Sequence, residues 1–446
     1  MAWPLALNAL LMQSMLMIDI WLVSPLGEKP LAAMGIATTI VAFILGIQMA
    51  LANGSQLVLS RAVGSGRPQA LSSAVSSGML INFAVALLFW TLLSLFEAPL
   101  LAMIIQDSQL QAEISDYLSI SKYLVLFTAI TQILIALFNS MGRSKVPFKG
   151  YLIELPINAA LSYVLINGIS SNGMIAFQGL GVSGAALGSV IAIAIRMVYL
   201  GWNVRQEPMF RGHGALFTAP TRTNLRKHFI EVFPVAANVT ILSIGATAYQ
   251  LLYSQLSLHS YVAITIIFPW IRAGTQFITA WAHSTAITIS QAIGSRKTDG
   301  MVKNIDTSID VAVWASFACA VCFAGLHFVL ADIYPELDPA TYDALSIIAP
   351  LYIFLPLVRG YNTVHGHVLR ALGKTTAVFK INFTGQWLIS IPLCAFIILG
   401  LDGSIFWAFA VQPIEEMVKA LPFRMLARRS LAEFDSKQID KLMFDK

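Results

Sequence analysis

The chain has 446 residues, of which 57% are apolar and only 11% charged, with a formal net charge of +5. Soluble domains carry about 25% charged residues, and a folded chain of this length leaves much of its surface wet. The composition therefore excludes a water-soluble globular protein and asks for lipid as the solvent.

The apolar residues fall in runs of about 20 or more, the length a helix needs to cross a hydrocarbon core. Spans are predicted near 4–23, 31–58, 72–95, 119–141, 149–167, 181–203, 230–254, 262–290, 305–330, 343–371, 381–400 and 404–424. Membrane β-barrels show shorter alternating segments of about ten residues, and none is present. Every backbone polar group must pair within its own segment in hydrocarbon, so these runs are expected to be α-helices. The first run has no basic stretch before it and no small-residue cleavage site after it, so it reads as a span rather than a cleaved leader. It opens at Pro4, carries Met12, Met15 and Met17, and holds Asp19 within the apolar stretch. The fifth run contains Glu154, Pro156, Asn158 and Ser162, and the sixth the Gly188-Ser189 pair. In the second half, polar residues sit inside predicted spans at Tyr249, Arg272, His283, Arg359, His365, His367, Glu415 and Glu416. Arg272 or Arg359 is expected to pair with Glu415 or Glu416, because like charges do not accumulate unpaired in a membrane. Cys319, Cys322 and Cys394 lie in apolar runs, and packing rather than metal or redox chemistry is expected of them. His365 and His367 are two apart and face different sides of a helix, so a zinc site is not expected.

The loops alternate in sign. One set carries Arg61, Arg67, Arg143, Lys145 and Lys149, then Arg205 to Lys227 with Arg211 among them, then Arg296, Lys297, Arg370 and Lys374. The other carries Glu28, Glu97, Asp107, Glu113, Asp332, Glu336, Asp338 and Asp402. Lys and Arg favour the cytoplasmic side, which puts both termini in the cytoplasm of a bacterial-type inner membrane. These loops account for the net charge without a nucleic-acid partner.

An internal repeat runs through the chain. Pro4 and Pro234 lie 230 residues apart, as do Asn8 and Asn238, and Ser60-Arg-Ala-Val-Gly64 aligns with Ser290-Gln-Ala-Ile-Gly294 at the same offset. Leu137 to Gly142 meets Val368 to Gly373 at 231. An offset spanning an even number of helices gives two parallel copies related by an axis along the membrane normal. The expected organisation is an N-terminal six-helix lobe over 1–204, a cytoplasmic linker over 205–229, a C-terminal six-helix lobe over 230–425 and a cytoplasmic tail over 426–446. Two such bundles suit alternating access around a central site.

Pro4 through Asp19 to Gly27, Gly64-Ser-Gly-Arg67, Leu155-Pro-Ile-Asn158, Leu180-Gly-Val-Ser-Gly-Ala-Ala186 and Leu369-Arg-Ala-Leu-Gly373 together resemble the multidrug and toxic compound extrusion (MATE) transporters. The resemblance covers nearly the whole chain. It implies an all-α membrane fold of about twelve helices in two six-helix bundles forming a V, exporting amphipathic or cationic drugs in exchange for H⁺ or Na⁺. It implies no other cofactor, and a monomer in lipid is expected.

Asp19 matches an acidic functional position of that family and is the first candidate for coupling. Its alternative is a structural carboxyl satisfied by neighbouring hydroxyls or amides. Asn158 matches a family position near that acid, and Ser189 stands where members often have Thr; helix packing is the alternative for both. Glu154, nearer the cytoplasmic end, is expected to be ion-paired. Met15, Gln132, Tyr249, Arg272, His283 and Arg359 are candidates for the substrate cavity. The chain also departs from the family. Ser162 stands where some members carry a second carboxylate, Val239-Thr-Ile-Leu242 lacks a seventh-helix acid, and Lys374 replaces a later one. Tyr249 occupies the repeat position of Asp19. Coupling is therefore expected in the N-terminal half, and the missing second acid leans towards H⁺.

No Walker A, G-x-S-x-G or H-E-x-x-H stretch is present, so neither ATP-driven pumping nor enzyme chemistry is indicated. A flippase for lipid-linked precursors, which would need a larger and more cationic cavity, is the second reading; Arg272, Arg359 and the second-half histidines keep it open.

Overall fold

A computed structural model of the chain describes residues 2–105, 107–171, 174–210, 219–335 and 337–443. Arg211 and Glu336 lie outside the described residues, as do the side chains of Met12 and Glu28.

Among the described residues twelve long helical segments follow one another. They are α1 (Ala2–Val23), α2 (Glu28–Gly64), α3 (Pro68–Ile104), α4 (Ser108–Ser140), α5 (Lys145–Asn167), α6 (Val182–Gln206), α7 (Arg222–Tyr253), α8 (Leu258–Gly294), α9 (Met301–Ile333), α10 (Pro339–Ala371), α11 (Thr375–Gly400) and α12 (Ile405–Ala432). A short α13 (Ser436–Leu442) ends the described chain. Nine of the described helices, α2–α4 and α6–α11, are long and apolar enough to cross a membrane. Helices α5 and α12 fall short because they carry charge in mid-helix, and that charge is paired inside the protein.

Three features were not expected from sequence. Gly168–Ser171 and Met174–Gln178 form a small antiparallel hairpin between α5 and α6. Helix α8 breaks at Thr275 into Leu258–Gly274 and Gln276–Gly294. Helix α11 also widens into π-type turns over Thr384–Ser390 and Phe396–Gly400, a local geometry found often near functional sites.

Helix ends follow from local chemistry. Asp107 accepts from the backbone N–H groups of Gln109 and Leu110 and starts α4; Asp338 accepts from Ala340 and starts α10. Such caps satisfy donors that a helix start leaves unpaired. Gly142 and Gly373, both at φ 75°, end α4 and α10. Each is followed by an N–H that reaches back five residues, Arg143 to Phe138 at 2.8 Å and Lys374 to Leu369 at 2.9 Å.

Residues Trp3–Val232 and Phe233–Met443 form two compact units, the division falling inside α7. In the first, apolar cores gather around Met34, Ile114 and Leu118, and around Leu59, Leu71 and Phe138. In the second, one core gathers around Tyr253, Ile267, Tyr352 and Phe409. Large apolar side chains also lie on the outside, including Leu88, Leu95, Phe96 and Met103 on α3 and Trp314, Phe317, Val321 and Phe328 on α9. An exposed apolar surface this extensive would drive aggregation in water and is what a hydrocarbon environment covers.

Candidate functional site

The first unit buries Asp19 where α1, α5 and α6 meet. Its side chain is 7% exposed. Ser189 Oγ of α6 donates to Asp19 Oδ2 at 3.2 Å, and Ser162 Oγ of α5 approaches Oδ1 at 3.5 Å. Asn158 Nδ2 donates to Ser189 Oγ at 2.8 Å. One chain of contacts thus joins Asn158, Ser189 and Asp19. Strong O–H···O⁻ bonds run nearer 2.5–2.7 Å, so the carboxylate is held loosely and keeps lone pairs free. Among the described residues, Asn158 Oδ1 is buried without a hydrogen-bond partner. A carboxylate, an amide oxygen and a hydroxyl therefore lie close together in a dry site. Such a group can take a proton, and hard oxygens of this kind also suit a small hard cation.

The close approach of α5 and α6 makes this possible. A methyl group at Gly188 would sit 2.5 Å from Ser162 Oγ and 2.9 Å from its backbone nitrogen. At Gly184, one turn earlier, it would meet the Leu165 carbonyl carbon at 2.5 Å. Small residues at i and i+4 let two membrane helices touch backbone to backbone, and here they bring Ser189 and Ser162 to the same carboxylate. Met15 lies one turn before Asp19 on α1 and is half-buried. Tyr117 of α4, also buried, is near enough to sense the Asp19 charge; it was not singled out from the sequence.

Gln132 is placed elsewhere in this unit. It is buried beside Tyr151, whose ring lies 4.2 Å beneath the Arg196 guanidinium. Arg196 pairs with Glu154 at 2.5 Å, both nearly inaccessible. Glu154 is thus ion-paired, and Arg196, mid-way along α6, is the partner that sequence inspection missed. Arg61, which the sequence suggests is a loop charge, is instead buried in the last turn of α2 and paired with Glu231.

The second unit holds a cavity of about 440 Å³. Tyr249, Arg272 and Arg359 line it, together with Arg370 and with Glu415, Glu416 and Lys419 of α12. Arg359 pairs with Glu416 through a long 3.4 Å contact. Lys419 lies 2.8 Å from Glu415 and 3.2 Å from Glu416. Tyr249 donates to Glu415 at 2.9 Å, and Asn362 to Glu416 at 2.8 Å. The i+3 and i+4 spacing of Lys419 from the two glutamates was the sequence signal for this cluster. His283 packs edge-to-face on His367, ring centroids 5.7 Å apart, and His367 lines the cavity. His365 is turned away, its Nδ1 against the Tyr361 carbonyl. Among the described residues no three His, Cys, Asp or Glu side chains gather as a metal-holding group.

Comparison with known proteins places these two sites in context. The MatE family model matches residues 4–164 and again 234–396, its two copies starting at the pair of prolines that open the internal repeat. The chain is 26% identical over 436 residues to the probable multidrug resistance protein NorM of Rhizobium meliloti (strain 1021), covering 93% of this chain and 90% of that one. It is 23% identical to the multidrug resistance protein NorM of Burkholderia vietnamiensis, covering 88% and 84%. Among solved structures, the Vibrio cholerae MATE transporter VcmN in its bent form superposes with a TM-score of 0.83 over 97% of each chain at 17% identity. A MATE protein in the bent conformation superposes with a TM-score of 0.85 over 98% of this chain and 95% of that one at 12% identity. With the all-α fold, its apolar helices and a family match extending over both halves, the chain belongs to the MatE family, whose members are membrane transporters rather than enzymes.

Proposed function

We propose that the protein is a secondary active exporter that exchanges amphipathic or cationic compounds for H⁺ or Na⁺ by alternating access. The observation that carries the reading is the buried Asp19 carboxylate, held by Ser189 and Ser162 with Asn158 Oδ1 unpartnered nearby. An isolated carboxylate in hydrocarbon is disfavoured by about 2.5–3.5 kcal/mol on insertion scales. A proton or a cation relieves that penalty, so the site has a reason to bind one. If ion and cargo cannot occupy their lobe together, binding one releases the other, and a gradient of the ion drives the cargo out. The multidrug resistance names of the relatives support the cargo class. With Ser162 in place of a second acid, a single charge is available, which favours H⁺. The charge pattern of the loops supports an inner membrane with both termini in the cytoplasm. The lobes we assign are 1–204 and 230–425, joined by 205–229 and followed by a tail over 426–446, and the working unit we assign is a monomer.

The test is ethidium efflux from proteoliposomes with a H⁺ or a Na⁺ gradient imposed alone. Wild type is expected to move the dye under one of the two, and Asp19→Asn to lose that movement. No transport under either gradient would overturn the exporter reading. Undiminished transport by Asp19→Asn would remove Asp19 from coupling.

A further inference from the structure

We infer that the cavity of the second unit is an anion site, which takes the carboxylate, sulfonate or phosphate group of an amphipathic organic anion. Four cationic side chains, Arg272, Arg359, Arg370 and Lys419, line it against two carboxylates, Glu415 and Glu416. The lining therefore carries an excess of two positive charges. Both carboxylates are already engaged by other donors. Glu415 receives Lys419 and Tyr249, and Glu416 receives Lys419 and Asn362. Arg359 reaches Glu416 and Gln412 only at 3.4 Å. Among the described residues, neither Arg272 nor Arg370 has a carboxylate within ion-pair distance. Uncompensated positive charge lining a half-open, partly apolar chamber within the hydrocarbon layer is unfavourable without a counter-charge. Guanidinium groups present several donors in a planar fork that matches a carboxylate, sulfonate or phosphate. A chamber of about 440 Å³ lies within the usual range for a small organic ligand. The aromatic and aliphatic part of the lining, Phe268, Ile271 and Leu242, suits the apolar body of such a molecule.

This inference adds amphipathic anions, beside cations, to the cargo of the exporter. Export of the bound anion rests on the exporter reading, but binding itself needs no gradient. The test is equilibrium binding to the full-length protein in a neutral detergent, with two probes of matched size and opposite charge, 2-naphthoate and 2-naphthylmethylammonium. Naphthoate is expected to bind at least about tenfold more tightly than the ammonium probe. Arg272→Gln and Arg370→Gln are each expected to weaken naphthoate about tenfold, the scale of one charge-assisted contact, while Arg370→Lys keeps most of the affinity. Arg272 is exposed, so its variant tests the site even where Arg370→Gln folds poorly. Added phosphatidylglycerol separates two sources of the anion. Displacement of naphthoate by this lipid, and not by phosphatidylcholine, assigns the site to a lipid headgroup; no displacement assigns it to a soluble amphipathic anion; either supports an anion site. Absence of naphthoate binding, tighter binding of the ammonium probe, or unchanged affinity in both Gln variants would overturn it. Anion binding without gradient-driven transport would remove the exporter reading and leave this one standing.

Discussion

At the scale of single residues, the protein treats buried charge in two ways. Asp19 stands with hydroxyls and an amide and, among the described residues, is not ion-paired, whereas Glu415 and Glu416 share Lys419. Lys419→Met should therefore be severe, because it leaves buried Glu415 with no cation and Glu416 with only the long contact to Arg359. Loss of one partner of a buried pair costs about 3–5 kcal/mol. The unfolding midpoint in detergent should fall clearly, and Glu415→Gln combined with Lys419→Met should recover part of the loss. Equal midpoints for Lys419→Met and wild type would show that water reaches the cluster. Gly188 offers a steric test of the Asp19 site. Gly188→Ala drives a methyl into Ser162 and should separate α5 from α6, with an overpacking penalty of about 1–3 kcal/mol and loss of gradient-driven efflux. Gly201→Ala, on the same helix with open space around it, should leave efflux and stability near wild type.

At the scale of helices, the ion pair of Glu154 and Arg196 joins α5 to α6, with Glu154 one turn before Asn158 on α5. A double-mutant cycle with Glu154→Gln and Arg196→Gln, read as unfolding free energies, should give a coupling of about 0.5–3 kcal/mol. Strict additivity would mean that the pair does not hold these helices together. Legibility differed sharply between these neighbours. Asp19 could be found because a carboxylate in an apolar run is rare and needs a reason, and Glu154 could be foreseen as paired because it sits in the same environment. Arg196 could not be named as its partner, since the rotation of α6 against α5 is set by Gly184 and Gly188 packing on α5 and not by sequence spacing. The same holds for Ser162, which reaches Asp19 only once the two backbones touch. Lys419 was legible in principle, being one turn from both glutamates, yet hydropathy alone draws the eye to the helix and not to its charged stripe. The break in α8 at Thr275 and the hairpin after α5 had no periodic signal, because both are short and arise where long helices must end or bend.

At the scale of the molecule, the internal repeat reaches down to backbone conformation. Gly66 and Arg296, 230 residues apart, both adopt positive φ, 66° and 56°. Their N–H groups donate to Val63 and Ile293, again 230 apart, each at 3.1 Å. Arg296 accepts a left-handed conformation that normally favours glycine, so the turn is imposed by its position at a helix end. Asp107 and Asp338, 231 apart, cap α4 and α10 through the same kind of contact. Six helices, α3 to α8, separate Gly66 from Arg296, so a parallel repeat requires both turns on one side of the membrane and both aspartates on the other. Basic residues at Arg67, Arg296 and Lys297 favour a cytoplasmic place for the first pair. Single cysteines placed at 66, 107, 296 and 338, in a protein with Cys319, Cys322 and Cys394 replaced by serine or alanine, can read this out with a membrane-impermeant maleimide. In intact cells positions 107 and 338 should label and 66 and 296 should not, while inside-out vesicles should reverse the pattern. If 66 and 296 labelled from opposite sides, the two halves would be inverted rather than parallel, and a rocking exchange between equivalent bundles would lose its geometric basis.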